Sequence, residues 1–153
     1  MPTNEDNLKP VTATTIKLSI PLKADIHAVW AAITQEIHAW WPKDFYVHEN
    51  ARLIFEPFPG GRLYEDAGDG NGGLWYTVMN IDSPSSLQMV GHLAPQFGGP
   101  ATTMLQLKLE KMDGQTMLHL TDALFGLLTP QTQKQVTEGW ACLFEQGLKS
   151  YLE

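Results

Sequence analysis

The stretch from Arg52 to Asp122 is cut by turn-forming clusters into six short apolar runs: RLIFEPF, RLYED, LWYTVMNI, SLQMVGHL, TMLQLKLEKM and TMLHLTDA. The interruptions are PGG, DGNGG, DSPS, FGGP and DG. A parallel return between strands needs a crossover of about a dozen residues or more, so connections this short allow only antiparallel pairing. The pattern therefore predicts a meander, and Asp113-Gly114 between two alternating segments is its sharpest hairpin signal. Alternation also assigns sides. Leu105, Leu107 and Leu109 of one strand and Leu118 and Leu120 of the next face inward, leaving Met104, Met117 and His119 outward. The other runs alternate less cleanly, and their inward residues stay open.

The flanks complete the frame. TTIKLSIPL places Ile16, Leu18 and Ile20 on one face with strand periodicity. Asp25 can cap the segment that follows, where Ile26, Val29, Trp30, Ile33, Ile37 and Trp40 or Trp41 recur at helical steps until Pro42. After the meander, Thr129-Pro130 pairs a helix cap with proline at the first helical position, and Val136, Trp140, Leu143 or Phe144, Gly147, Leu148 and Tyr151 form an apolar stripe to the end of the sequence. The order β, α, six β, α predicts an α+β domain with one antiparallel sheet and its helices on one face. Residues 1–12 show no periodicity and read as a disordered lead-in, leaving 13–153 as a single domain.

Charge and cysteine usage exclude several classes. With a net charge of −7 and ten Lys plus Arg, no basic stripe exists to neutralise phosphates, so nucleic acid is not an expected partner. No apolar run approaches the ~20 residues of a membrane span. MPTNEDNLKP lacks the features of a secretory signal, which places the expected compartment in the cytoplasm. Cys142 is the single cysteine; among Trp140, Leu143 and Phe144 it is expected to be a buried, inert thiol. His27 and His38 share a helix face but lie ~16 Å apart, too far for one ion. Asp69-x-Asn71-x-Gly73 is a fragment of a calcium loop without its distal glutamate. No metal and no cofactor are expected.

A sheet of about seven strands twists, and a helix of ~20 residues across it cannot touch every strand, so a gap at one end is expected. Gly139 and Gly147 inside the last helix each cost about 1 kcal/mol relative to alanine. Either a close approach to the sheet or room for a ligand would offset that. Trp40 and Trp41 stand about 100° apart around a helix, so one is expected in the core and the other, Trp41, at a cavity mouth with Phe45. Five Trp, six Phe, four Tyr and six Met exceed what the helix stripes need. Phe55, Tyr64, Trp75, Met79, Met89, Phe97 and Phe125 are candidates to converge beside Trp140 and Phe144 on an apolar pocket. The candidate acid–base groups there are Tyr64, Glu65, His92 and Asp122.

Four segments together, IPLKADIHAVWAAITQEIHAWWP, FEPFPGGRLYED, LWYTVMNIDSP and FGLL through GWACLFEQGLKSYL, resemble the activator-of-Hsp90-ATPase-like branch of the START/Bet v 1 (SRPBCC) superfamily over residues 14–153. The resemblance implies the helix-grip fold, a curved seven-stranded sheet wrapped on a long C-terminal helix over a hydrophobic cavity. Where members of the family often carry a histidine after the last strand's threonine, this chain has Asp122. The function expected is binding of a small hydrophobic or amphipathic molecule, such as a lipid, a polyketide-like compound or an aromatic metabolite, between sheet and helix. The alternatives are a cyclase or dehydratase using an acid–base pair in the cavity, or a chaperone-regulating interaction domain. A homodimer is a further open partner state.

Overall fold

A computed structural model of the chain describes residues 7–153. Seven strands form one antiparallel sheet: β1 Thr12–Leu22, β2 Arg52–Phe55, β3 Arg62–Gly68, β4 Asn71–Asp82, β5 Ser86–Leu93, β6 Ala101–Met112 and β7 Gln115–Gly126. Their spatial order is β1-β7-β6-β5-β4-β3-β2, so the six C-terminal strands run as a meander and β1 closes beside the last of them. β1 begins at Thr12, inside the predicted lead-in, whose residues 1–6 lie outside the described part of the chain. The turn chemistry behaves as its residues dictate. Gly114 takes φ 68° between β6 and β7, and Asp69 and Gly70 both take positive φ between β3 and β4.

Alternation fixes the sides. Leu105, Leu107, Leu109, Leu118 and Leu120 are buried on the inner face and Met104 is exposed on the outer one. The same parity brings Thr103 two residues before Leu105, and Asp122 two residues after Leu120, to the inner face. The sheet bends at register shifts between Leu63 and Tyr64 and between Val78 and Asn80.

The first helix departs from its single predicted span. Asp25 caps α1 (Ile26–Thr34), accepting from the amides of His27 and Ala28, but the helix stops at Gln35 and restarts as the short α2 (Ile37–Trp40). The second long helix starts at Thr129, whose hydroxyl accepts from the Thr132 amide. It runs as α3 (Pro130–Cys142), a π-helical stretch (Leu143–Lys149) and α4 (Ser150–Leu152). A π-turn holds one more residue than an α-turn. Here it turns Leu143, Phe144, Gly147 and Leu148 all toward the core. Gly147 meets the requirement for a close approach, since a methyl group there would sit 3.0 Å from the Trp40 carbonyl oxygen. Cys142, expected to be buried, is only half-buried, and its thiol donates to Gln146 Oε1 on the outer side of the helix.

Candidate functional site

Sheet and helix meet along only part of their length. At one end Ile33, Ile37, Trp40, Trp41, Phe55, Leu63, Met89 and Phe144 fill the interior, leaving a gap of about 20 Å³. At the other end lies a cavity of about 880 Å³, within the size range of small-molecule sites. Its walls come from the loop Asp44–His48, β3 and β4, the β5–β6 loop at Leu93–Phe97, the inner faces of β6 and β7, and α3.

The wall between the filled and hollow halves is aromatic. Trp75, Trp41, Trp40, Phe144, Trp140 and Tyr76 touch in that order, with neighbouring ring centroids 5.4, 6.0, 6.0, 5.8 and 6.2 Å apart. Such pairings contribute about 0.5–1.5 kcal/mol each beyond area burial. This arc corrects the expectation for the tandem tryptophans. Trp41 is 6% exposed and lies in the filled half, edge-on to Trp75, not at a mouth. The chain leaves the helix at that residue with an extended backbone (φ −63°, ψ 119°), so the helical wheel that separated the two indoles no longer applies. Trp40 Nε1 donates to Ala32 O at 2.8 Å.

Two carboxylates face the cavity, and each is 1% exposed. Glu65 accepts from the backbone amides of Val47 and His48 and from Trp75 Nε1 at 2.7 Å, so it ties the mouth loop to β3 and orients one indole. Asp122 accepts from Trp140 Nε1 at 2.8 Å and from the Thr103 hydroxyl. The Tyr76 hydroxyl lies 3.3 Å from Thr103 Oγ1. Because Thr103 has one proton and gives it to Asp122, Tyr76 must be the donor in that second contact. Burial pushes the Asp122 carboxyl above its ordinary range despite the two donors, and it pushes the Tyr76 hydroxyl up as well, with the Asp122 charge adding to the effect. Gly91 makes the arrangement possible: a methyl there would meet the Trp75 carbonyl oxygen at 2.5 Å and the Tyr76 ring at 3.0 Å.

Of the residues expected at a pocket, Phe45, Trp75, Phe97, Trp140, Glu65 and Asp122 line the cavity, and His92 stands at its border with its ring bonded to Thr102. Phe55, Met89 and Phe144 belong to the filled half. Tyr64 lies on the outer side of β3 under the Arg62 guanidinium, and Phe125 and Met79 are exposed on outward positions of their strands. Among the described residues no hydrogen bond joins any two of Tyr64, Glu65, His92 and Asp122. Sequence reasoning missed Tyr46, His48, Tyr76 and Thr103, whereas Gly139, singled out for its place inside the helix, does line the cavity. Thr103 could have been found by extending the parity of Leu105 backward; the loop residues carry no such signal. Apolar side chains of the lining are exposed, among them Leu74 at 59% and Phe97 at 50%.

No described helix is long and apolar enough to cross a membrane. A family model described as Activator of Hsp90 ATPase homolog 1-like protein matches residues 23–153. Among solved structures, the Mll3558 protein from Rhizobium loti superposes with a TM-score of 0.71 at 17% identity, covering 90% of this chain and 96% of that one. The Aha1 dimer from Colwellia psychrerythraea gives 0.67 at 19% identity, covering 92% and 96%. Ara h 8.0201 gives 0.70 at 13% identity, covering 92% and 98%. At these identities the likeness is one of fold. No curated protein matches in sequence.

Proposed function

The chain belongs to the Activator of Hsp90 ATPase homolog 1-like family, and from that premise we propose that it binds a small hydrophobic or amphipathic molecule in the cavity between sheet and C-terminal helix. The observation that carries this reading is a hollow of about 880 Å³ beside a half of the same interior that is packed solid. A fold able to fill one half could fill the other, and an empty apolar volume costs stability through lost contacts. Gly139 supports the reading from the helix side. A methyl there would meet only Phe45 Cε1 at 3.8 Å, so no crowding demands a glycine, and the missing side chain leaves room in the cavity.

The test uses native mass spectrometry and tryptophan quenching against a panel of aromatic and aliphatic metabolites. One guest per chain is expected for the wild type and weaker binding for Gly139→Leu, whose side chain projects into the space and narrows it. Failure of every panel member to bind, or equal binding of every member by the narrowed variant, would remove the reading. The cyclase or dehydratase alternative needs two acid–base groups in reach of one another, and the separation of Glu65, His92 and Asp122 into different hydrogen-bond sets favours binding over it. The chaperone-regulating reading and a homodimer draw on the family description and on the dimeric Colwellia relative; recovery of a chaperone by the tagged chain would be its test.

A further inference from the structure

We propose that the guest of this cavity is an organic cation, an amine carried on an aromatic or alicyclic body, and that anionic amphiphiles such as fatty acids are excluded. This rests on the cavity being a ligand site, and it adds the sign of the charge. Asp122 and Glu65 are the buried carboxyl groups on the walls, and Asp44 adds a third carboxyl to the lining. Among the described residues no Lys or Arg lines the cavity. Of the two histidines there, the His92 ring bonds Thr102, while His48 Nδ1 has no hydrogen-bond partner among the described residues and stands 3.7 Å from Glu65 Oε1, on the side of a carboxylate.

A carboxylate guest would enter a space already lined by carboxyl groups, with no Lys or Arg among the described residues there to pair with it. An ammonium group meets the opposite situation. The carboxylate of Asp122 can accept about four hydrogen bonds and receives two from the protein, so it has acceptor capacity left for an N–H donor. The indoles of Trp75 and Trp140 and the ring of Tyr76 surround the same space, and aromatic faces attract cations. Trp75 and Trp140 each donate an indole N–H to one of the two carboxyl groups, which keeps rings and carboxyls together. The net charge of −7 raises the local concentration of cations around the whole molecule.

The experiment is isothermal calorimetry on the full chain at neutral pH with three probes on one naphthalene body: 2-(1-naphthyl)ethylamine, 2-(1-naphthyl)ethanol and 1-naphthylacetate. The amine is expected to bind tightest, with a Kd about tenfold or more below that of the carboxylate. The near-isosteric Asp122→Asn, checked for folding by circular dichroism, should shrink the advantage of the amine over the alcohol several-fold. The wild-type comparison stands by itself if that variant does not fold. A carboxylate that binds as tightly as the amine overturns the charge inference and leaves the cavity as a ligand site. Absence of heat and of any thermal shift with all three probes at millimolar concentration overturns both.

Discussion

At the scale of single residues, Asp122 makes the sharpest statement. Its carboxyl is buried, its ionisation is disfavoured by desolvation, and two donors offset that only in part. A carboxyl with a raised folded pKa binds its proton more tightly in the native state than in the unfolded one, so its contribution to stability grows as pH falls through the folded value and is lost as pH rises above it. Relative to Asp122→Asn, the wild type should therefore gain stability on mild acidification above the unfolded carboxylate range. Urea melts of both proteins across a pH series would show it, and a difference independent of pH would contradict it. Glu65 also holds backbone, through the amides of the loop it accepts from. Glu65→Gln replaces one acceptor oxygen with a donor facing the amides of Val47 and His48, which should cost about 1–3 kcal/mol. Faster hydrogen exchange confined to those two amides and their neighbours would be the local signature.

At the scale of elements, the C-terminal helix separates two kinds of glycine that look alike in sequence. Gly147→Ala should destabilise in spite of helix propensity, because its methyl group meets the Trp40 carbonyl at 3.0 Å and that backbone cannot yield easily. Gly139→Ala should stabilise by up to about 1 kcal/mol, since the helix gains propensity and the methyl group finds ordinary contact. Chemical denaturation of the two variants gives opposite signs if the packing is as described. The same contrast shows what the sequence could tell. Turn glycines, strand alternation and the Asp25 and Thr129 caps marked every strand and both long helical segments, because each is a local decision of three or four residues. The break at Gln35, the extended backbone at Trp41 and the π-helical stretch are set by what the helices pack against, and Trp41 was misplaced for that reason. In β3 and β4 a register shift disturbs alternation: Tyr64 pairs with Leu74 and Leu63 with Tyr76, leaving Trp75 as an extra residue between them. Asp122 and Thr103 were legible by parity from the leucines beside them. Tyr46, Val47 and His48 reach the cavity through a loop held by Glu65, a contact between residues far apart in sequence that no periodicity announces.

At the scale of the whole molecule, the interior is divided by its arc of aromatic rings. Trp40→Ala, on the solid side, should cost about 3–5 kcal/mol through cavity creation and the loss of its bond to Ala32. Val136→Ala, on the hollow side, should cost far less, since it borders space that is already open. Thermal unfolding of the pair would separate the two halves, and equal losses would mean that the division has no energetic content. A molecule whose anchorage is concentrated behind a partition leaves the chamber in front of it free to change its furnishings. Substitutions at Val136, Gly139, Leu74 or Phe97 can alter what the chamber admits without disturbing the joint that keeps the chain folded, so one scaffold of this kind can serve many different tenants.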